Sequence, residues 1–332
     1  MKKQKYVLYF IILLIAVAFI ALLSLAVGSK SIPLGEVVDH LLHPSTESFN
    51  GAVIQARIPR TVFGLIAGAA LAISGLLMQS ITRNPIADPS ILGVNFGASL
   101  AVVSGITFFN IQSSTQYILF ALVGAILTTI LVYWIASLGQ GGVTPLKLAL
   151  AGATINGAIS SLISMMVLPN INSMASFRFW QVGGISGVSY ENILISLPFL
   201  IGALLIAIFV SPSLDAMMLG DETATGLGVK VKRTRLLATA SGVILSATVT
   251  AIAGPIGFVG LMIPHMMRLL IGNNVKLLLL FSALGGAILL SGADVIGRVI
   301  AYPYEVEVGI LTALIGAPVF IYVAMKTKVR AL

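Results

Sequence analysis

Residues 61–81 read TVFGLIAGAALAISGLLMQSI, a continuous stretch without a single charged side chain. A helix needs about 20 apolar residues to cross a hydrocarbon layer about 30 Å thick, so this stretch is long enough to span a membrane. Gly64, Gly68 and Ala72 recur at four-residue spacing, which places them on one helix face where a neighbouring helix can approach closely. The stretch therefore predicts a transmembrane helix that packs against another.

Similar apolar stretches recur along the whole chain of 332 residues, of which 58% are hydrophobic and only 9% are charged. The mean hydropathy of +1.06 excludes an ordinary soluble domain. We therefore predict an all-α integral membrane protein, a polytopic bundle of about ten transmembrane helices. The predicted spans are 7–27, 61–81, 91–109, 117–138, 147–168, 193–211, 236–254, 256–271, 277–293 and 307–325.

Two groups of these spans are candidates for an internal repeat. Spans two to five and spans seven to ten both begin with a helix rich in small residues. The two groups are offset by five helices, and an odd offset makes the second unit run in the opposite direction through the membrane. An inverted internal repeat is therefore a hypothesis to test against the fold.

Lysine and arginine are distributed unevenly between the loops, which predicts the orientation of the chain. With ten spans both termini share one side, and that side collects 14 of the 19 basic residues, while the other side holds seven of the eleven acidic residues. Because positive residues in short loops resist translocation, both termini are predicted to be cytoplasmic. The net charge of +8 follows from this topology and requires no nucleic-acid partner.

The sequence lacks the signatures of enzymes and metal sites. It contains no G-x-x-x-x-G-K-[ST] phosphate loop, no H-E-x-x-H, no G-x-S-x-G and no cysteine. We therefore expect a chain that does not hydrolyse ATP, with no catalytic residue, no metal site and no cofactor. The predicted spans also lack the central acidic residues through which gradient-driven carriers usually work, so a separate partner should supply the energy.

The longest predicted cytoplasmic segment, 212–235, is the candidate contact for that partner. Asp215 and Asp221 could each begin a short helix as N-cap residues. An apolar surface for docking would come from Leu214, Met217, Met218, Leu219 and Leu227. An amphipathic connector lying on the membrane is an equally good interpretation of this segment taken alone. The residues assigned to ATPase coupling are Leu219, Gly220, Asp221, Glu222, Ala224, Gly226, Leu227 and Gly228.

Five blocks of sequence together carry a resemblance to a known family. They are the 212–235 segment, the R-I-P-R and N-P-I-A-D-P motifs within 57–98, A-G-P-I-G-F-V-G at 253–260 with I-P-H-M-M-R at 263–268, Ala293-Asp294 with Arg298, and 307–320. In this order and spacing the chain resembles the permeases of type II ABC importers, the family that moves ferric siderophores, haem and cobalamin. The resemblance extends from residue 57 nearly to the C-terminus.

The resemblance implies a set of partners around one permease domain formed by residues 1–332. It implies a second permease subunit, either an identical copy or a paralogue, with two cytoplasmic ATPase subunits beneath and an extracytoplasmic binding protein above. It also implies residence in the cell (inner) membrane of a bacterium, in contact with lipid.

Three arginines on the outer side match family positions that receive acidic residues of the binding protein. They are Arg57, Arg60 and Arg298, and guanidinium groups pair well with carboxylates. Alternatively, the same arginines could pair with Asp294, Glu305 or Glu307 of their own chain, or anchor helix ends at headgroups. Both interpretations stay open at the level of sequence.

Six residues are assigned to the translocation path or its gate by the resemblance and by their spacing. The turns 82–89 and 139–147 match the inner gate of the family, although both could be plain connectors. Asn156, Ser160 and Ser164 recur every four residues on one helix face, where they could line the path or hydrogen-bond a neighbouring helix. The residues assigned to the gate or path are Asn84, Pro85, Thr144, Asn156, Ser160 and Ser164.

These features together predict the permease subunit of an ATP-binding-cassette importer that works by alternating access. A ferric siderophore is the preferred cargo, with haem or cobalamin as alternatives. A secondary transporter driven by an ion gradient is the competing interpretation.

Overall fold

The computed structural model describes residues 2–44, 48–85, 87–139, 144–168 and 180–326. Within these residues the secondary structure is helical, and a 3-10 turn covers Pro89–Leu92. The α-helices with described bounds are α1 Lys2–Ala26, α2 Leu34–Leu42, α3 Phe49–Thr82, α4 Val94–Phe109, α5 Ser114–Ser137, α6 Pro145–Val167, α7 Tyr190–Met217, α8 Asp221–Gly226, α9 Val231–Ala253, α10 Val259–Ile271, α11 Val275–Ile300 and α12 Val308–Lys326.

Seven of these helices, namely α1, α3, α5, α6, α7, α9 and α11, are long and apolar enough to cross a membrane. Helices α4, α10 and α12 are shorter apolar helices that coincide with the other three predicted spans. The prediction of an all-α membrane bundle is confirmed. Helix α2 was not predicted, because it is a short amphipathic helix whose buried face carries Val37 and His40.

Helix α3 is much longer than the predicted span 61–81. It begins at Phe49, where the side chain of the N-cap residue Ser48 accepts a hydrogen bond of 3.0 Å from the Gly51 amide. Hydropathy detects only the continuous apolar part of a helix, so the first three turns, which are interrupted by Arg57, Pro59 and Arg60, were not predicted. As a result Arg57 and Arg60 project from a helix rather than from a loop.

Helix α7 also extends beyond its predicted end at residue 211. It continues through Pro212 to Met217, because Leu214 and Met217 are buried in the core and hold the last turns in place. The predicted coupling loop, 212–235, therefore begins too early. Residues 218–230, which include the short helix α8, connect α7 to α9. Asp215 does not begin a turn of its own. Its carboxylate instead accepts a hydrogen bond of 2.7 Å from the Val275 amide at the start of α11.

Glycine contacts allow the helices to pack around α3. A Cβ on Gly68 would collide with the Gly286 carbonyl of α11, and a Cβ on Gly75 would collide with the backbone of Gly260 in α10. Such close approach replaces the hydrophobic drive that lipid removes from helix association. The small residues that recur at four-residue spacing within 61–81, including Gly68, therefore lie at a helix–helix contact.

The two ends of the bundle follow from the helix directions. Helix α1 ends at Ala26 beside Arg57, and α12 begins at Val308 next to the backbone of Gly183. We call the end that carries Ala26, Arg57 and Val308 the outer end, and the end that carries the last turn of α3 and α8 the inner end. Both described ends of the chain lie at the inner end. The inverted repeat stays a prediction.

Candidate functional site

Five charged residues form the outer cluster, defined as Arg57, Arg60, Asp294, Arg298 and Glu305. Arg60 lies at its centre: its Nη2 is 2.7 Å from Asp294 Oδ1, and its Nη1 is 2.7 Å from Glu305 Oε2. These contacts tie α3 to the end of α11 and to the loop that follows. The two acidic partners therefore satisfy both sides of the Arg60 guanidinium within the chain.

Arg298 is almost completely inside the protein, with only 2% of the residue exposed. Its Nη1 donates to the Ser24 carbonyl at 2.6 Å, and its Nη2 donates to Ser24 Oγ at 3.1 Å and to Asp294 Oδ2. A side chain enclosed in this way has no surface to offer a partner protein. The predicted docking role of Arg298 is therefore wrong for this conformation, and its physical role is to join α11 to α1.

Arg57 closes the C-terminal end of α1. Its guanidinium donates to the carbonyl oxygens of Leu25 at 2.8 Å and Ala26 at 3.2 Å, in the last turn of the helix, where carbonyls lack intrahelical partners. It also donates to the Lys30 carbonyl at 2.7 Å in the segment that follows. The side chain is partly exposed, so it can still meet a partner on its outer edge.

The pKa values of two acidic residues near the outer cluster, Glu305 and Glu307, are shifted in opposite directions. Burial would raise the pKa of Glu305, but the hydrogen bond and charge of Arg60 outweigh it and lower the pKa below its ordinary value. Glu307 accepts a hydrogen bond of 3.3 Å from Ser186 Oγ, and burial raises the pKa of its carboxyl. Glu305 is therefore the firmly charged partner of Arg60.

Three residues form the inner triad, defined as Arg83, Asp221 and Arg235. Asp221 Oδ1 pairs with Arg83 Nη2, and Asp221 Oδ2 lies 3.0 Å from Arg235 Nη2. Burial would raise the pKa of Asp221, but the hydrogen bond and charge of Arg235, joined by those of Arg83, lower the pKa below its ordinary value. One carboxylate thus joins the end of α3, the start of α8 and the second turn of α9.

Helix α8 presents an apolar edge between two glycines with positive φ. Gly220, with φ of +113°, is its N-cap, so Asp221 occupies the first helical position and is not the predicted cap. Leu219 and Leu227 flank the helix and are 66% and 63% exposed, while Ala224 is fully buried in the core. The remaining predicted coupling residues Glu222, Gly226 and Gly228 are exposed. Helix α8 is therefore anchored on one face and open on the other.

A cavity of about 310 Å³ lies between α4, α6 and the junction of α9 with α10. Two of the predicted path residues, Ser160 and Ser164, line it together. The other polar lining groups are neutral, and none of the lining residues that the structure describes is charged. The lining residues are Asn95, Phe96, Ser99, Ser160, Ile163, Ser164, Val167, Leu168, Gln181 and Pro255.

Asn156 does not face this cavity. Its Nδ2 donates to the Ser90 carbonyl at 3.3 Å, so it holds the 3-10 turn that precedes α4. Thr144 is the N-cap of α6, where its hydroxyl accepts from the Lys147 amide at 3.2 Å. Both contacts are those of structural residues, although Thr144 still borders residues 140–143 of the predicted gate, which lie outside the described residues.

Asn84 and Pro85 directly follow Arg83 and the end of α3 at the inner end. Both were predicted to belong to the gate. The pairing of Arg83 and Arg235 with Asp221 was not predicted. Basic residues at helix ends on the predicted cytoplasmic side are ordinary under the positive-inside rule, so nothing in the sequence distinguishes these two from the others. In the described part of the chain, no three His, Asp or Glu side chains come together in a group that could hold a metal ion.

A comparison with known families identifies the architecture. Residues 13–326 match the FecCD transport family, and this match covers nearly the whole chain. The chain belongs to the FecCD transport family. The resemblance to metal-chelate importer permeases, drawn from the five sequence blocks, is confirmed by this membership.

Relatives of this FecCD protein extend over almost the same length. It is 42% identical to the Fe(3+)-citrate import system permease protein YfmD of Bacillus subtilis, over 98% of this chain and 97% of that protein. It is 39% identical to the ferric enterobactin transport system permease protein FepD of Escherichia coli, over 96% and 94%. A solved metal-chelate type ABC transporter in an inward-facing conformation superposes with a TM-score of 0.83 at 29% identity, covering 97% of this chain and 99% of that chain.

Proposed function

We propose that this FecCD protein is the transmembrane permease subunit of an ATP-binding-cassette importer that carries a ferric siderophore into a bacterial cell. Residues 1–332 act as one permease domain in the cell membrane, and the energy comes from two separate cytoplasmic ATPase subunits. The single observation that carries this proposal is helix α8, which combines a buried anchor at Ala224 with an exposed apolar edge at Leu219 and Leu227.

Helix α8 has the properties of a docking element for an ATPase. Two leucines that are about two-thirds exposed flank this short helix at the inner end and offer a partner an apolar surface. The glycines at 220 and 228 adopt positive φ, which sets the short helix off from α7 and α9. The sequence contains no phosphate-binding loop, so the nucleotide chemistry belongs to the partner.

A second permease subunit is proposed to cover the face of α6 that carries Ser160 and Ser164. This face is exposed in the single chain, and Met165 beside it is 63% exposed. Gly157 has no atom within 4 Å of the position its Cβ would occupy, which leaves room for close helix approach. Two such chains, identical or paralogous, would enclose a path lined by neutral hydroxyl and amide groups.

The extracytoplasmic binding protein is proposed to dock at the outer end on Arg57 and Arg60. Arg57 retains an exposed edge, and Arg60 shares its guanidinium with Glu305, whose side chain is 30% exposed. Acidic residues of a docking lobe would extend this charged pair rather than replace Asp294, which is 3% exposed. Arg298 contributes to docking indirectly, because its hydrogen bonds to Ser24 hold α11 beside α1.

The cargo is proposed to cross with its iron still chelated. Among the described residues that line the cavity there is no charged or imidazole group that would compete for iron, and the serine and amide groups suit the polar periphery of a chelate. The relatives are permeases for ferric citrate and ferric enterobactin, which favours a siderophore over haem or cobalamin. Asn84, Pro85 and Thr144 border the inner exit in an alternating-access cycle.

Reconstitution in proteoliposomes tests this proposal. We expect uptake of a radiolabelled ferric siderophore only when the ATPase, the binding protein and internal ATP are all present. Replacing Leu219 and Leu227 together by aspartate should release the ATPase during co-purification, whereas the matched exposed change Leu194→Asp at the other end of α7, 66% exposed, should retain it. Uptake by the permease alone, abolished by an uncoupler, would establish the secondary-transporter interpretation instead.

A further inference from the structure

The inner triad connects parts of the chain that are far apart in sequence. Arg83 and Asp221 are separated by 138 positions, whereas Asp221 and Arg235 are separated by 14. Each oxygen of the Asp221 carboxylate takes one arginine, so the two interactions do not compete for the same acceptor atom. A displacement of Asp221 therefore acts on α3 and on α9 together.

Helix α8 is held to the rest of the bundle by a buried apolar contact and by ion pairs. Ala224 is its buried apolar contact, and Asp221 supplies its ion pairs. Helix α9 already follows α8 along the chain through residues 227–230, so the pair with Arg235 reinforces a covalent connection. The pair with Arg83 is different, because it links α8 to a helix that the backbone does not join to it.

Helix α3 is suited to carry a movement through the bundle. It has 34 residues, which corresponds to about 51 Å at 1.5 Å per residue. It packs without a gap against α10 and α11 through Gly75 and Gly68, and its outer part carries Arg57 and Arg60. Packed helices of this kind move as rigid bodies, so a displacement of Arg83 is transmitted along the whole of α3.

The backbone at Arg83 places this pair at the start of the candidate gate. Arg83 ends α3 in the left-handed conformation with φ of 50°, and Asn84 and Pro85 follow at once. The side chains of Arg83 and Asp221 are 39% and 44% exposed. Since water reaches both groups, the pair can break and form again during a cycle, which a buried pair could not do without a large desolvation cost.

We infer that Arg83 is a positioning residue for transport, joining the ATPase-contacting helix α8 through Asp221 to α3 and the gate turn that follows it. Movement of α8 under the ATPase is transmitted to α3 by this ion pair, while Arg235 keeps the carboxylate oriented. The inference rests on the proposed function, because it assigns the route by which the same α8 contact drives the path open and closed.

The test compares Arg83→Gln with Arg83→Lys in the complete complex. In proteoliposomes that contain permease, ATPase and binding protein, we measure siderophore uptake and ATP hydrolysis together. Arg83→Gln should lower uptake per ATP hydrolysed by about fivefold or more, the scale of a typical coupling between two sites, while Arg83→Lys restores most of the ratio. Asp221→Asn should reproduce the loss.

Arg233→Gln is the matched control, since it removes one arginine from the same end of α9. Arg233 is exposed and forms no ion pair within the part of the chain that the structure describes. It should leave uptake per ATP unchanged. A purely structural role for Arg83 would lower the melting temperature or the yield but not this ratio.

Two outcomes would overturn the inference, and each is distinguishable from failure of the proposed function. Arg83→Gln with a native ratio of uptake to hydrolysis would remove the link, and so would equal losses in Arg83→Gln, Arg83→Lys and Arg233→Gln. In both cases the ATPase still co-purifies with the chain and uptake still requires ATP. If the ATPase does not co-purify with the native chain, the proposed function itself fails.

Discussion

The outer cluster and the inner triad both hold arginines against carboxylates, but water reaches them to different extents. In the outer cluster, the side chains of Arg298 and Asp294 are 1% and 3% exposed. In the inner triad, those of Arg83 and Asp221 are 39% and 44% exposed. Both groups contact the same helix, α3, one in its first half and the other at its C-terminal end. Similar chemistry thus lies in two dielectric environments on one structural element.

This difference separates two uses of an ion pair. Removing one partner of a buried pair leaves a charge without compensation in a medium that solvates it poorly, so the outer cluster is fixed once the chain folds. An exposed pair contributes little to stability, because water solvates both partners when they separate. The outer cluster therefore braces the bundle, and the inner triad is suited to a contact that changes during transport.

The largest expected effect comes from removing the carboxylate at the centre of the brace. Asp294→Asn would leave Arg298 buried without its acidic partner and would take one of two carboxylates from Arg60. We expect a loss of about 3–5 kcal/mol in the free energy of unfolding, typical of a broken buried pair. Thermal unfolding of the detergent-purified chain measures it as a clear fall in melting temperature.

Asp39→Asn is the control for this brace, because the Asp39 side chain is 78% exposed and lies at the same end. We expect a change within about 0.5 kcal/mol, as for most surface substitutions. Equal melting temperatures for Asp294→Asn and Asp39→Asn would contradict the assignment of the outer cluster as a brace.

A moderate effect is expected at the exposed edge of the brace. Glu305 occupies Arg60 Nη1, the side of the guanidinium that a docking protein would approach. Glu305→Gln should free this edge and tighten binding of the binding protein by about two- to fivefold, the equivalent of one partly exposed ion pair. Calorimetry or surface plasmon resonance with the detergent-solubilised complex measures the change in Kd.

Glu36→Gln provides the matched comparison, since Glu36 also lies at the outer end but accepts a hydrogen bond of 2.6 Å from Asn50 and pairs with none of the described arginines. Its affinity for the binding protein should equal that of the native chain. Weaker binding of the binding protein to Glu305→Gln would mean that Glu305 belongs to the docking surface itself. The outer cluster would then not be a purely structural brace.

The helical membrane architecture was predictable because it depends on properties that add along the chain. Ten apolar stretches and the asymmetry of lysine and arginine require no knowledge of contacts. The helix ends were less predictable: residues 49–60 are helical although two arginines and a proline interrupt their apolar residues, and α7 continues past Pro212 because Leu214 and Met217 are buried. These extensions are decided by tertiary packing, which a hydropathy window does not contain.

The residue types of the candidate site were predictable, and pairing of the outer arginines with Asp294 and Glu305 was one of two interpretations that the sequence left open. The sequence could not choose between the two, and it did not indicate the pairs at Asp221. The resemblance selected Arg60, Arg298 and Asp221, yet the partners lie 234, 274 and 138 positions away in sequence. Charge alone also could not tell an arginine that faces a partner protein from one enclosed by its own chain. The burial of Arg298 decides this question, and burial depends on how α1 and α11 pack.

The smallest expected effect is the contribution of the inner triad to stability, and its dependence on salt distinguishes the two regions. Asp221→Asn should lower the free energy of unfolding by less than about 1 kcal/mol at low ionic strength, because both side chains of the Arg83 pair are accessible to water. At about 1 M salt, where the Debye length is near 3 Å, the difference from the native chain should vanish, whereas the loss in Asp294→Asn should persist.

The pKa of Asp221 is lowered, so its stabilising contribution is present above the ordinary carboxyl pKa and disappears as the pH falls through the lowered value. Melting curves of the three proteins across salt and pH measure both trends. A large loss in Asp221→Asn that resists salt would show that the inner triad is a second brace, and the transmission route through Arg83 would then lack the freedom it requires.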